Sequence, residues 1–320
     1  MKNHVDLERS VSIVIYDQPP PSLDLASASP STLVRHGLPI PTNETQRAQF
    51  ERALARLQGR LRIIQPEFKV LPPRNPFLRR RRKESLVEGD ETVNWAGAIS
   101  QPPNGQFFKY VFADFNVPNV AESRDGGPEE GNQLFPTWSS HWVGIDDDTS
   151  GQVCQAGVEC NSAPGSEIGV PYAWVEWFPG PLVIVSNFTV FSGDWISVMI
   201  CTDGPGSTSA NATLTNFTNG LVTAFQIGAP PGTALAGLSA EWISERPTDP
   251  DAVEDPKVFE LGNFGNVVFC DAVAGFEGGS LSPTEADLVQ MTRSVTDETV
   301  ICRAESPVPG LVRTTWESGA

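Results

Sequence analysis

The chain has 320 residues, of which 39% are hydrophobic, so it is long enough to bury a sizeable core. Its formal net charge of -17 is unevenly distributed: residues 1–90 carry 15 Lys/Arg and 10 Asp/Glu, whereas residues 91–320 carry 7 and 29. An acidic body excludes nucleic acid as its partner, since phosphates need a basic surface. No apolar run approaches the ~18 residues of a membrane-spanning helix, so no membrane partner is expected.

Residues 1–90 differ from the rest of the chain and form a predicted leader. The run Val11–Tyr16 is too short for the apolar part of a signal peptide, and no signal peptide is visible. The Pro/Ser-rich stretch over residues 16–33 predicts loop or disorder. Apolar side chains at helical spacing then predict one helix near residues 45–63. The sequence therefore predicts a partly disordered leader over 1–90 and a second domain over 91–320.

A basic run, Arg79–Lys83 with the sequence RRRRK, lies at the boundary between these two parts. Three interpretations remain open: a solvated segment, a nuclear-localisation-like patch, or a processing site between a leader and a mature domain. Because the leader is basic and the following domain acidic, we also expect the leader to dock electrostatically on that domain.

From about Thr92 onward the pattern is that of β-strands separated by Gly/Pro turns, without interleaved helices. This pattern predicts an all-β sandwich or barrel. In the segment Leu238–Glu245, period-2 alternation places Ser239, Glu241 and Ile243 on one face and the intervening residues on the other. Residues 283–293 are compatible with either a helix or a strand.

Five cysteines leave at least one thiol unpaired within the chain. Cys154 and Cys160 are six residues apart in a segment that has the pattern of a strand. Their Cα atoms would then lie about 20 Å apart, whereas a disulfide needs less than about 7 Å. The two are therefore not expected to bridge each other.

Histidine is scarce, which limits the available chemistry. His141 is the one histidine of the β region, so a multi-histidine metal site is excluded there, and a Ser–His–Asp triad would have to use it. The acidic segment Gly144–Gly151 has the composition of a calcium-binding loop, although solvated turns of this kind are more common. The motif DTSG at Asp148 has no second copy, which argues against a paired aspartic peptidase.

Several predicted strands carry a polar residue among large aromatic side chains. One contains Trp142 and Asp146, a second contains Trp174 and Glu176, and a third contains Glu241. A fourth presents Gln155, Gly157 and Glu159 on one face. Ordinary alternation in a sandwich explains any one of them, but four together favour a groove lined by aromatic and polar groups.

These segments, taken in order, resemble the glutamic peptidases, or eqolisins. The matching motifs are VNWAGA at 93–98, VPNV at 117–120, SSHWVGID at 139–146, CQAGVE at 154–159, YAWVEWFP at 172–179, SAEWISE at 239–245 and NFGNVVF at 263–269. The resemblance implies an acid endopeptidase on a two-sheet antiparallel β-sandwich of the concanavalin A-like jelly-roll type. It also implies a removable leader, a monomer, peptide or protein substrates and no cofactor or metal.

The resemblance places the catalytic glutamate at Glu241 and the catalytic glutamine at Gln155. Glu241 would act as general base and then general acid on a water molecule, while Gln155 would stabilise the oxyanion. Trp142, Asp146, Trp174 and Glu176 fall on positions near the active site and are expected to support it and contact substrate.

Three departures from the family pattern accompany the match. Ala156 replaces the usual threonine after the glutamine, Asp147 replaces a glycine, and Cys154 precedes the glutamine. The family is secreted, so the resemblance predicts an extracellular enzyme although the sequence shows no signal peptide. The alternative hypotheses are a concanavalin-like carbohydrate-binding module and a glycoside hydrolase that uses two carboxylates.

Overall fold

The computed structural model describes residues 3–7, 11–20, 23–40, 44–57, 59–71, 90–121, 137–146, 150–162, 171–248 and 258–317. Within these ranges the chain forms two α-helices, one 3-10 helix and 21 β-strands. The helices are α1 (Pro30–Arg35), α2 (Glu44–Arg56) and the 3-10 helix Pro283–Glu285.

The first seven strands are β1 (Asn3–Leu7), β2 (Val11–Ile15), β3 (Arg62–Ile63), β4 (Phe68–Val70), β5 (Asp90–Thr92), β6 (Trp95–Ser100) and β7 (Tyr110–Asn116). The next seven are β8 (Thr137–Ile145), β9 (Val153–Ser162), β10 (Tyr172–Phe178), β11 (Val183–Thr189), β12 (Trp195–Thr202), β13 (Ser209–Asn216) and β14 (Leu221–Gly228). The last seven are β15 (Ala240–Glu245), β16 (Glu260–Leu261), β17 (Asn266–Phe276), β18 (Gly279–Leu281), β19 (Asp287–Thr292), β20 (Val300–Glu305) and β21 (Val312–Trp316).

The strands form two packed sheets. Sheet A has the order β1–β2–β14–β13–β12–β7–β17–β18. Sheet B has the order β4–β11–β10–β9–β8–β15–β6–β19–β20–β21–β17. These neighbours are antiparallel, and β17 passes from one sheet to the other. The predicted two-sheet antiparallel β-sandwich is therefore confirmed.

The main core lies between the two sheets, because alternate residues of each strand point inward. Trp242 of β15 is fully buried there, and its indole Nε1 donates a hydrogen bond to the Phe112 carbonyl of sheet A at 2.9 Å. Small and β-branched residues such as Ala156 and Val175 fill the space around it. This packing fixes the register of β15 and thus the direction of its outward side chains.

The leader is part of the sandwich in its described residues. Strand β2 extends sheet A by pairing with β14, and β4 extends sheet B by pairing with β11. Helix α2 covers the outer side of sheet A, where Leu57 packs in one cluster with Phe217 and Val222. Arg56 of α2 forms an ion pair with the buried Asp114 of β7.

The helix predicted near residues 45–63 corresponds to α2, which ends at Arg56. Gly59 has a left-handed backbone conformation (φ 70°), as is common just beyond a helix, and the chain then continues as β3. The described part of the Pro/Ser-rich stretch is loop until α1 begins at Pro30. The basic run Arg79–Lys83 lies outside the described residues.

In the part of the chain that the structure describes, neither helix has the length and apolar character needed to span a membrane. All five cysteines are described, and all are free thiols. Cys154 and Cys160 are buried in the main core, so the prediction that they do not bridge each other is confirmed. The ambiguous segment over residues 283–293 begins with the 3-10 helix and continues as strand β19.

Candidate active site

The candidate site occupies the side of sheet B that faces away from sheet A, which we call the site face. On β15 the side chains of Ala240 and Trp242 belong to the main core, whereas Ile243 belongs to a separate apolar cluster on the site face. Glu241 has the same parity as Ile243 and so lies on the site face as well. The alternation predicted for this segment is therefore confirmed.

Glu241 and Gln155 lie in one row that runs across sheet B. Glu241 pairs with Gly144 of β8, and Gly144 pairs with Gln155 of β9. Gln155 in turn pairs with Glu176 of β10. Directly paired residues share a face of a sheet. We call these four residues the catalytic row. It presents the Glu241 carboxylate, then Gly144 without a side chain, then the Gln155 amide and the Glu176 carboxylate.

Gly144 produces the gap between the two proposed catalytic side chains. A Cβ atom at this position would lie 3.2 Å from Oε2 of Glu241 and 2.9 Å from the ring of Trp142. Neighbouring strands are about 4.8 Å apart, so the backbones of Glu241 and Gln155 are about 10 Å apart across this glycine. A side chain at this position would therefore collide with its neighbours, and only glycine lets the Trp142 ring and the Glu241 carboxylate lie this close to the strand.

The amide of Gln155 is held by Glu176. Its Nε2 donates a hydrogen bond to Oε2 of Glu176 at 2.7 Å, and the Gln155 side chain is 3% exposed. Its Oε1 has no hydrogen-bond partner within the described ranges. Glu241 is fully buried. Both proposed catalytic groups are therefore held where bulk water does not compete for their hydrogen bonds.

Trp142 and Trp174 lie in the next row of the site face. Gly157 of β9 pairs with both of them, and a Cβ on this glycine would lie 2.6 Å from Cβ of Trp142. The Trp142 indole donates to Oε2 of Glu245 at 2.7 Å, and the Trp174 indole donates to Oγ of Ser140 at 3.1 Å. The two rings are thus buried and fixed beside the catalytic row.

Asp146 fixes the loop that precedes β15. Its two carboxylate oxygens accept hydrogen bonds from the backbone N–H groups of Ala236 (2.5 Å) and Leu238 (2.8 Å). Its backbone has a positive φ of 69°, a conformation that aspartate tolerates better than most residues. Because Leu238 is three residues before Glu241, these bonds position the strand that carries Glu241. Asp146 thus has the geometry of a supporting residue.

His141 lies on the opposite side of the sheet from Glu241. It is fully buried in the main core, where its ring nitrogens contact the hydroxyls of Ser244 (2.8 Å) and Ser139 (3.2 Å). Burial lowers the pKa of His141 to about 3, so its imidazole is neutral over most of the pH range. This placement excludes His141 from a triad that opens onto the site face.

A calcium site in the segment Gly144–Gly151 receives no support from the residues described. Both carboxylate oxygens of Asp146 already accept backbone hydrogen bonds. Residues 147–149 lie outside the described ranges, as does the departure at Asp147. Within those ranges, no three His, Cys, Asp or Glu side chains are grouped as metal ligands.

A third row of polar residues on the site face was missed among the predicted site residues. Glu245 pairs with Ser140, Ser140 with Glu159, and Glu159 with Tyr172. The sequence placed Glu159 on the face of Gln155, although not among the site residues. Glu245 was not named, and its parity, which it shares with Glu241, is the signal that could have found it. What the sequence lacks is the register that brings the two together.

The family model for the Peptidase A4 family matches residues 93–315, which covers more than half of the chain. The chain belongs to the Peptidase A4 family. The match includes every residue of the catalytic row. The protein is accordingly a glutamic endopeptidase, a hydrolase that acts on peptide bonds.

Aspergillopepsin-2 of Aspergillus niger is one relative of this chain. The two are 29% identical over 221 residues, which cover 65% of this chain and 74% of the relative. Scytalido-glutamic peptidase, solved with a transition state analog inhibitor, is similar in fold, with a TM-score of 0.56 at 24% identity over 70% of this chain and 98% of that chain. SCP-B, solved with the tripeptide Ala-Ile-His, gives a TM-score of 0.53 at 23% identity, again with 70% and 98% coverage.

Proposed function

We propose that this peptidase hydrolyses peptide bonds in acid through a dyad of Glu241 and Gln155. The single observation that carries the proposal is the row in which these two side chains flank Gly144. With no side chain at Gly144, the Glu241 carboxylate and the Gln155 amide are the functional groups on either side of it in the row.

The chemistry has two steps that balance in protons. The Glu241 carboxylate accepts a proton from water while the water oxygen attacks the carbonyl carbon, which gives a tetrahedral oxyanion. The resulting Glu241 carboxylic acid then donates that proton to the leaving nitrogen as the C–N bond breaks. The products are a carboxylic acid and an amine, and Glu241 returns to its carboxylate form.

Gln155 is suited to bind the oxyanion because an amide keeps its donors at low pH. One N–H of Nε2 donates to Glu176, which fixes the orientation of the amide and leaves the second N–H on the same nitrogen for the substrate oxygen. Loss of one such donor typically costs about 2.7–4 kcal/mol in the barrier. Glu176 is therefore a positioning residue, as Asp146 is for Glu241, while Trp142 and Trp174 contact substrate.

The two alternative hypotheses fit the site less well. A glycoside hydrolase needs two carboxylates about 5–9.5 Å apart across the scissile bond. Here the group that faces Glu241 across Gly144 is the amide of Gln155, and Glu176 lies three strands from Glu241, about 14 Å by backbone spacing. For a calcium-dependent lectin, the described residues contain no group of three or more His, Cys, Asp or Glu side chains that could hold the ion.

We also propose that residues 1–90 are a leader and residues 91–320 the peptidase domain. The leader would be removed by cleavage near Arg79–Lys83, and the enzyme would act outside the cell as a monomer. The ion pair between Arg56 and Asp114 and the strand pairing of β4 with β11 support a leader that is bound to the domain. The family resemblance supports the extracellular location.

The test is digestion of an unfolded protein by the full chain at acidic and neutral pH, with Gln155→Ala and Gln226→Ala compared side by side. Gln226 is a half-buried glutamine of β14 in sheet A, which makes it a matched control. We expect cleavage in acid only, reduced about 100-fold by Gln155→Ala and unchanged by Gln226→Ala. A Gln155→Ala variant as active as the wild type would refute the dyad, and glycan binding without proteolysis would favour the lectin hypothesis.

A further inference from the structure

Helix α2 covers the outer side of sheet A without filling the space beneath it. Phe50, Ala53 and Leu54 pack in the same cluster as the buried Leu57, yet all three stay only partly buried. A cavity of about 100 Å³, which we call the inner cavity, lies between these side chains and Met199 of β12. Protein interiors contain few voids larger than a water molecule, so the contact between α2 and the sheet is looser than a packed core.

A larger cavity of about 750 Å³, which we call the outer cavity, adjoins the inner one. Leu38, Ile40, Met199 and Cys201 line both cavities, so the two are parts of one space. We call this space the α2 channel. An apolar cavity stays dry, because water inside it lacks hydrogen-bond partners, and it takes up apolar ligands instead. The inner cavity therefore suits an apolar chain that enters through the outer one.

The outer cavity carries polar groups at its wall. The Tyr16 hydroxyl donates a hydrogen bond to Oδ1 of Asn211, and Lys109 forms an ion pair with Glu277. The positive charge of Lys109 is thus compensated, whereas Asp203 adds a further carboxylate to the same wall. An anionic head group would meet this excess of negative charge, while a hydroxyl can both donate and accept hydrogen bonds there. The polar end of a ligand is therefore expected to be uncharged.

We propose that the α2 channel binds a neutral single-chain amphiphile, such as a long-chain alcohol or a monoacylglycerol. The alkyl chain fills the inner cavity, and the hydroxyl head lies in the outer cavity near Tyr16 and Asn211. Ligand pockets typically have volumes of about 300–1,000 Å³, apolar walls and a few polar groups that orient the ligand, and the channel has these properties. The inference goes beyond the proposed peptidase function and does not depend on it, because the channel lies outside sheet A and the dyad lies on sheet B.

The test is calorimetric binding of 1-hexanol, 1-octanol and 1-decanol to the full chain at neutral pH, where the proposed acid cleavage does not cut it. We expect the affinity to rise about fourfold for each added methylene that the channel buries. Decanol should bind at least about tenfold more tightly than decanoate, which has the same chain and a charged head. Ala53→Leu fills the inner cavity and should weaken decanol binding at least about tenfold. Ala48→Leu, which adds the same atoms at an exposed position of α2, should leave it unchanged.

Three results would overturn the inference: no binding of decanol, an affinity independent of chain length, or decanoate binding as tightly as decanol. Decanol binding to Ala53→Leu at the wild-type affinity would place the ligand elsewhere and overturn it as well. If Ala53→Leu does not fold, the thiol of Cys201 locates the ligand in the wild type, since Cys201 lines both cavities. Saturating decanol should slow alkylation of Cys201 at least about tenfold, with Cys270 of β17 as the reference, and an unchanged rate would refute the channel.

Discussion

Glu241 and Gln155 are brought together by Gly144, which pairs with one residue on each side and contributes no side chain between them. A Cβ atom added to this glycine would lie 3.2 Å from Oε2 of Glu241, so even one methyl group would press on the carboxylate. The absence of a side chain at position 144 is therefore part of the geometry that the proposed dyad requires.

Replacing Gly144 with alanine is expected to reduce kcat/KM by about 100-fold, because small displacements of a catalytic group are costly. The overpacking is expected to lower the free energy of unfolding by about 1–3 kcal/mol. Urea denaturation and peptide kinetics on the same protein measure both effects. Gly228→Ala is the control, since its Cβ would lie 3.1 Å from Ser12 in sheet A. Equal kcat/KM values for the two variants would show that catalysis does not depend on the missing side chain at Gly144.

Asp146→Asn removes one of the two acceptors that hold the loop before β15. The new amide NH₂ would face the backbone N–H of Ala236 or Leu238, so one buried donor loses its partner. We expect the free energy of unfolding to fall by about 1–3 kcal/mol and kcat to fall with it. The exposed Asp287→Asn serves as the control. An unchanged kcat in Asp146→Asn would contradict the role of Asp146 in positioning Glu241.

Asp114 is expected to make the protein more stable as the pH falls from about 6 to about 4. Burial raises the pKa of Asp114 from 3.8 to about 6, and Asp271 adds to the rise, while Arg56 and the Trp195 indole oppose it. In this window the folded state binds more protons than the unfolded state, so acid favours folding.

The measurement is urea denaturation of the wild type and of Asp114→Asn between pH 4 and pH 7. The free energy of unfolding of the wild type, relative to that of the variant, should be larger at pH 4 than at pH 7 by about 2 kcal/mol. Other titrating groups cancel in this difference. A difference that is constant with pH would show that Asp114 titrates at its ordinary pKa.

His141 is expected to make the protein less stable as the pH falls, which is opposite to the effect of Asp114. Its folded pKa of about 3 is below the unfolded value of 6.5, so the unfolded state binds more protons between these values and acid favours unfolding. Between pH 7 and pH 4, the free energy of unfolding of the wild type should fall by about 3 kcal/mol relative to that of His141→Gln. The same denaturation series checks this, and a wild type that gains on the variant in acid would contradict it.

The sequence predicted the faces of single strands better than the relations between strands. Alternation alone placed Glu241 and Ile243 on one face and Trp242 on the other, because a strand that covers a core has a strict period of two. The pairing of Glu245 with Ser140 and of Ser140 with Glu159 depends on register, which is set by packing between distant segments. The third row was therefore not predicted.

The leader shows the same limit for short elements. Strand β2 (Val11–Ile15) lies between β1 and β14 in sheet A, and its place depends on β14, more than 200 residues away. Strand β4 has three residues and pairs with β11 at the edge of sheet B. Such short segments carry little pattern of their own, and their structure comes from the edges that they cover.

The most direct test of the central claim is kcat/KM of Glu241→Gln for an acid-cleaved peptide, measured across pH beside the exposed Glu285→Gln. Glutamine has nearly the size of glutamate but does not accept the proton of the attacking water. We predict a loss of at least about 100-fold in Glu241→Gln, with an unchanged circular dichroism spectrum and full activity in Glu285→Gln. A folded Glu241→Gln protein that cleaves the peptide at the wild-type rate would show that Glu241 is not the general base.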